Sequence, residues 1–86
     1  MPNTAPIGPT INRRPAVTAA TGYPRSTLYK KIEDGLFTRP VKLGARAVGW
    51  PSHETAAISA ARIAGHTEVE IRALVKTLHA NRRKAT

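Results

Sequence analysis

A glycine-containing turn joins two short helical segments near the start of the chain, and this feature constrains the fold most. The first segment covers residues 16–21 and stops at Gly22, and the second covers residues 25–34 and stops at Gly35. Glycine ends helices because it adopts the left-handed conformation without the strain that a side chain causes. Two helices separated by a short turn that contains glycine predict a helix-turn-helix.

The second helix has one apolar face and one polar, cationic face. Leu28 and Ile32 are four residues apart, so both point to the same side of a helix and are expected in the core. Basic and hydroxyl side chains share much of the opposite arc, namely Arg25, Ser26, Tyr29 and Lys30, together with Glu33. An outer face of this kind is typical of the helix that reads DNA in a helix-turn-helix protein.

A small β-hairpin is predicted after the second helix. Residues 41–43 and 47–50 are short alternating stretches, and the intervening residues 44–46 include Gly44, which we expect to supply a positive φ in the turn. A two-stranded hairpin is not stable alone, so its apolar side must pack on the helices. That side is expected to contain Val41, Leu43, Val48 and Trp50, with Lys42 and Arg46 outside.

Two further helices follow the hairpin. Ser52 is a suitable N-cap for a third helix over residues 53–64, and Thr67 with Glu70 forms the capping box of a fourth. The fourth helix carries an apolar stripe at helical spacing, formed by Ile71, Leu74, Val75 and Leu78. Either this stripe completes the domain's own core, which is the usual role of such a helix, or it forms a self-association surface.

The charge of the chain is strongly positive and is concentrated in its first half. The sequence has 14 Lys and Arg against five Asp and Glu, a formal net charge of +9 over 86 residues. Residues 13–46 carry eight basic and two acidic side chains, a net of +6, whereas residues 47–79 are balanced. Such asymmetry favours a polyanionic partner, with nucleic acid preferred over a ribosomal or membrane-surface location.

The length allows one small domain with extensions on both sides. We expect a flexible arm at residues 1–12, a winged helix-turn-helix DNA-binding domain at residues 13–65, an amphipathic helix at residues 66–80 and a basic tail at residues 81–86. The fold class is thus mainly α, with a small β-hairpin wing and an added C-terminal helix. The absence of cysteine and of a long apolar segment predicts a soluble, cytoplasmic protein without a membrane partner.

Nothing in the sequence predicts catalysis. His53, His66 and His79 are spaced by 13 residues, and this spacing does not place two ligands on one face of a helix. The five acidic residues show no paired general acid and base, and the sequence has no phosphate-binding glycine loop. We therefore expect no enzyme activity, no cofactor and no metal site.

Several short motifs occur together and in order, and they carry a family resemblance. They are Arg14-Pro15, Thr21-Gly22, Arg25-Ser26-Thr27-Leu28-Tyr29, Phe37-Thr38-Arg39-Pro40-Val41-Lys42-Leu43-Gly44 and Arg46-Ala47-Val48-Gly49-Trp50. Over residues 13–64 the chain resembles the AlpA-type regulators of prophages and integrative elements. That family is a branch of the MerR-like winged helix-turn-helix proteins and is close in fold to phage excisionases. The resemblance does not extend to the fourth helix.

The resemblance implies a sequence-specific DNA-binding protein. Members of this family regulate the transcription of mobile-element genes or act as recombination directionality factors, which help a tyrosine integrase to excise the element. Carried over by position, the recognition helix contains Arg25, Ser26, Thr27, Tyr29 and Lys30, and the wing contains Arg46. This chain departs from the family pattern at three positions. Pro24 replaces the usual serine N-cap, and Thr55 and Ile58 replace bulkier residues of the third helix.

Individual side chains of this surface have expected roles. Arg25 reads guanine in the major groove or contacts a phosphate, and Arg46 enters a narrow minor groove or stays in water. Tyr29 donates its hydroxyl to DNA or packs between the helices. Lys42 is assigned to the wing, and the phosphate contacts are expected from Arg13, Arg14 and Arg39.

Double-stranded DNA is the expected partner. Two interpretations of the role of the fourth helix stay open. In one interpretation the fourth helix and the basic tail support head-to-tail self-association on DNA. In the other, the fourth helix docks on integrase or RNA polymerase, and DNA binding is secondary.

Overall fold

The computed structural model describes residues 10–84, and within them the chain forms four helices and three short strands. In chain order these are β1 (Ile11–Arg13), α1 (Arg14–Thr21), α2 (Arg25–Glu33), β2 (Val41–Lys42), β3 (Val48–Pro51), α3 (Ser52–Ile63) and α4 (Glu68–Lys84). The predicted fold class, mainly α with a small β wing and an added C-terminal helix, is confirmed.

The sheet has three antiparallel strands in the order β1-β3-β2, one more than the predicted hairpin. Ile11 pairs with Pro51, and Val41 pairs with Gly49 on the other side of β3. The prediction that residues 1–12 form an arm is therefore wrong for residues 11 and 12, because their backbone pairs with β3. Residues 1–9 of that arm lie outside the described residues. A strand of three residues is too short to show alternation in the sequence.

Gly49 lies in the central strand at a point where no side chain fits. A Cβ added there would collide with the side chain of Ile11 and lie 3.1 Å from the carbonyl oxygen of Asn12. Gly44 does not have the positive φ that the sequence predicted for the hairpin turn, because three bent residues span the loop and Leu43 N–H closes it by donating to Ala47 O at 2.7 Å. The glycines that do have positive φ in the described residues, Gly22, Gly35 and Gly65, each follow a helix.

Trp50 is at the centre of the core and is fully buried. Its indole N–H donates to the carbonyl oxygen of Thr38 at 2.9 Å, and Phe37 meets its ring edge to face. The other buried apolar side chains are Val17, Leu28, Leu36, Ile58, Ala61, Ile71, Val75 and Leu78. The core thus receives side chains from all four helices and from β3.

The predicted apolar side of the hairpin is wrong for Leu43, which is 44% exposed. The register pairs Val41 with Gly49, so Val41 and Leu43 face away from Trp50. The sequence-based set mixed the two faces, because across the three-residue loop Val41 and Leu43 lie on the same face as Gly49 and Ala47, whereas Val48 and Trp50 lie on the other face.

Neither α3 nor α2 has a capping side chain at its N-terminus, and the start of α3 differs from the sequence prediction. Ser52 is the first residue of α3, not its N-cap, and its hydroxyl is 2.6 Å from that of Thr10. In α2 the N-cap is Pro24, with extended backbone and no capping side chain. The start of α2 is thus set by a proline just before the helix.

The capping box predicted for α4 is confirmed. Thr67 N–H donates to Glu70 Oε1 at 2.8 Å, and Glu70 N–H donates to Thr67 Oγ1 at 3.2 Å. The hydrogen bonds from Thr67 hold the pKa of Glu70 below its usual value. The helix begins where the sequence indicates, because both partners of the box are local.

The apolar stripe of α4 packs on the chain's own core. Ile71, Val75 and Leu78 are buried, and Leu74 is half-buried against the same cluster. Of the two interpretations of this stripe, core packing describes the structure. The self-association surface at these residues stays a prediction, and within the described residues their side chains are covered by α3 and its neighbours.

The predicted basic tail at residues 81–86 is wrong for its first part, because α4 continues to Lys84. The guanidinium of Arg82 turns inward and makes two hydrogen bonds with the carboxylate of Glu54. Arg82 Nη2 also donates to the carbonyl oxygen of Arg39 at 2.6 Å. These bonds fix the end of α4 to the domain.

Candidate nucleic-acid interface

The outer face of α2 is open to solvent and carries the predicted polar side chains. Leu28 is fully buried and fixes the helix to the core, so its opposite face points outward. Arg25, Ser26 and Lys30 are exposed, and Thr27 is half-buried. The structure therefore brings three of the five predicted recognition residues to one accessible surface.

Tyr29 is half-buried, as the packing alternative for this residue predicted. Its ring meets Trp50 edge to face, with the ring centroids 6.4 Å apart. The contact joins α2 to β3, the strand that leads out of the wing loop. Tyr29 therefore fixes the orientation of α2 relative to the wing.

Lys30 has acidic neighbours on its own helix. Its Nζ is 3.4 Å from Glu33 Oε1 and 3.6 Å from Asp34 Oδ1. The carboxylate of Asp34, followed by that of Glu33, raises the pKa of Lys30 above its usual value. The positive field at this end of α2 is consequently weaker than at Arg25, which makes no ion pair within residues 10–83.

Three arginines meet beside the wing loop, which comprises residues 43–47. Arg13, Arg14 and Arg46 line one surface depression, together with Pro15 and Val48. Arg13 Nε donates to the carbonyl oxygen of Val48 at 3.1 Å, which fixes this side chain against β3. We call this set the arginine cluster. Lys42, the other predicted wing residue, is exposed on β2.

Arg39 is separate from the arginine cluster and faces α4. Its backbone N–H donates to His79 Nε2 at 3.0 Å, and its side chain lines a different depression with Arg72 and Lys76. Burial, followed by the positive charges of Arg39 and Arg82, lowers the pKa of His79 below its usual value. The phosphate contact expected from Arg39 stays a prediction, and the turn after α2 places this residue beside the C-terminal helix, not in the arginine cluster.

The sequence analysis did not predict two contacts of charged side chains that hold the helices together. The first is the Glu54–Arg82 pair. The second is the ring of Tyr23, which has the guanidinium of Arg62 at 4.5 Å and the ammonium of Lys31 at 5.7 Å. Neither contact could be predicted from the spacing of residues in the sequence, because the partners lie on different helices or in the turn between two helices.

Two further kinds of site are absent from the part of the chain that the structure describes. That part contains no group of three or more His, Cys, Asp or Glu residues arranged to hold a metal ion. It also contains no helix that is both long and apolar enough to cross a membrane.

Comparison with known proteins gives one family match and one relative. The family model described as prophage CP4-57 regulatory protein (AlpA) matches residues 10–57, from β1 into α3. An uncharacterized protein, ORF88 of Enterobacteria phage P4, is 43% identical over 53 residues. That alignment covers 62% of this chain and 60% of the relative, so it spans less than two-thirds of the relative's length. No solved structure matches the chain significantly.

Proposed function

The chain belongs to the AlpA family of phage regulatory, DNA-binding proteins, and from this premise we propose that it reads a specific duplex DNA sequence through α2. The helix lies in the major groove, and the wing lies on the neighbouring part of the same duplex. This arrangement follows the general geometry of helix-turn-helix proteins, in which the second helix contacts base edges.

One observation carries the proposal. The first turn of α2 presents Arg25 and Ser26 to solvent, while Leu28 in the same turn is fully buried. A groove-binding helix requires this division, because one face must be rigidly held while the other meets the bases. A guanidinium at the start of such a helix reaches the two acceptors of guanine in the major groove.

The biological role we propose is regulation of a mobile element, either at promoters or as a recombination directionality factor that acts with a tyrosine integrase. Family membership and the basic first half of the chain support this role. The alternative in which α4 docks on integrase or polymerase and DNA binding is secondary is not the function we propose, because the apolar stripe of α4 is buried. Integrase and RNA polymerase are therefore proposed only as partners on DNA.

The test of DNA reading is a comparison of Arg25→Ala with the wild type on specific and random duplexes. We expect a loss of about 1–3 kcal/mol on the specific site and a smaller loss on random DNA. Lys76→Ala removes the same charge from the exposed side of α4 and is the control. It should change the affinity for neither the specific nor the random duplex. Equal losses on both duplexes would reassign Arg25 to phosphate contact. Failure of the wild type to bind duplex DNA in dilute salt would overturn the proposal.

The test of the biological role is a footprint on the DNA of the element that encodes the chain. Protection of repeated sites within the attachment region supports a directionality factor. Protection confined to a promoter supports transcriptional control and contradicts the excision role.

A further inference from the structure

We propose that Arg13, Arg14 and Arg46 form a single binding site for one backbone phosphate of the duplex, so that the wing grips the strand and does not read the floor of the minor groove. This inference rests on the proposed function. It assigns a ligand to the arginine cluster and a different role to Arg46 from the one the sequence predicts.

The first argument is convergence. Arg13 ends β1, Arg14 begins α1, and Arg46 lies 32 positions later in the wing loop, yet all three line one depression. The pairing of β1 with β3 brings them together, since Arg13 is opposite Gly49 and Val48 follows the loop. Three arginines from separate elements line one depression, so the cluster depends on the tertiary fold as well as on the adjacent Arg13-Arg14 pair.

The second argument is charge balance. No carboxylate is among the described residues that line the depression, and the side chains of Arg14 and Arg46 make no hydrogen bond or ion pair within residues 10–83. Two other arginines, by contrast, have carboxylate partners within the chain, Arg82 with Glu54 and Arg72 with Glu68. Like charges held together repel one another, so the cluster is completed by an anion from outside the chain.

The third argument is the geometry of the hydrogen-bond donors. Within the described residues Arg13 donates through Nε to the carbonyl oxygen of Val48, which orients the guanidinium and leaves both terminal nitrogens available to a ligand. A guanidinium with this orientation matches two oxygens of a phosphate, whose anionic oxygens accept charge-assisted hydrogen bonds. An arginine that reads a narrow minor groove instead extends alone into it. Arg46 lies beside two other arginines, which favours the phosphate.

The experiment is a double-mutant cycle on duplex binding, with Arg14→Ala, Arg46→Ala and the double variant measured over a range of salt. If both arginines hold one phosphate, the loss of affinity in the double variant departs from the product of the single losses, because both side chains act on the same group. The magnitude of the slope of log K against log salt is then smaller by about 0.9 in the double variant than in the wild type. Two separate phosphates would give multiplicative losses and a fall of about 1.8, which overturns the proposal. Lys42→Ala is the matched control within the wing and should combine multiplicatively with Arg14→Ala.

A second measurement identifies the chemical group. Replacing one phosphate by a neutral methylphosphonate at successive positions should reveal one position where wild-type affinity falls and the Arg14–Arg46 double variant is unaffected. A different outcome would overturn the phosphate site and leave DNA binding by α2 intact: no single phosphate is sensitive, and Arg46→Ala no longer lowers the affinity once the minor-groove edges of the bases are altered. Absence of any duplex binding would overturn both proposals. Melting curves of each variant establish that it is folded.

Discussion

The carboxylate of Glu54 is completely buried and accepts two hydrogen bonds from the guanidinium of Arg82, at 2.9 and 2.7 Å. The pair joins the first turn of α3 to the last turns of α4. Arg82 is partly exposed, with 23% of its side-chain surface accessible. Because the family match ends at residue 57, this contact attaches an element outside the matched region to one inside it.

Removing one partner of this pair should be costly. Arg82→Ala leaves the carboxylate of Glu54 buried without its cation, and we expect the free energy of unfolding to fall by about 3 kcal/mol. Urea denaturation measures the change, and Lys76→Ala on the exposed side of α4 is the control. The double variant Glu54→Met with Arg82→Met should recover most of the loss. A loss below about 1 kcal/mol for Arg82→Ala would show that the pair does not hold α4.

Acid should weaken the attachment of α4 through His79. The pKa of His79 lies below its ordinary value of 6.5, because the ring is partly buried and faces Arg39 and Arg82, against the single opposing charge of Glu54. As pH falls through 6.5, the unfolded chain takes up the proton first, so stability present at neutral pH decreases.

His79→Gln isolates this contribution. Glutamine still offers an acceptor to the N–H of Arg39 but does not titrate near neutral pH. We expect its melting temperature to fall less than that of the wild type between about pH 7.5 and pH 5.5. Parallel pH profiles of the two proteins would contradict the role of His79.

Gly49→Ala should destabilise the sheet, whereas Gly44→Ala should not. A methyl group at position 49 meets the side chain of Ile11 and the backbone of Asn12, and overpacking of this kind costs about 1–3 kcal/mol. At Gly44 nothing lies within 4 Å of an added Cβ. Thermal denaturation compares the two variants, and hydrogen exchange at β1 should increase only in Gly49→Ala. Similar melting temperatures would show that β1 is not held as described.

Asp34→Asn should increase DNA affinity. Asp34 is the largest cause of the raised pKa of Lys30, so its removal leaves the positive field of α2 less neutralised. We expect a rise of about threefold in dilute salt that disappears as salt screens the charges. Glu68→Gln removes an equal charge whose partner is Arg72 on α4 and serves as the control. An increase of the same size for both variants would indicate net charge alone.

The local signals in the sequence determined the helical part of the fold. Gly22 and Gly35 ended α1 and α2 as expected, and the capping box of Thr67 and Glu70 set the start of α4. Each signal acts between residues at most a few positions apart, so the chain carries it wherever it folds. The polar face of α2 was predictable for the same reason, because helical spacing assigns faces before any packing is known.

Tertiary structure alone decided which charges became internal and which stayed available for a ligand. Glu54 and Arg82 are 28 residues apart, and Arg13 and Arg46 are 33 apart, so no periodicity relates either pair. Their roles depend on where α4 and β1 pack, and those positions follow from the shape of the core around Trp50. A sequence determines local geometry through neighbouring residues, whereas the partner of a distant charge is fixed only when the whole chain has packed.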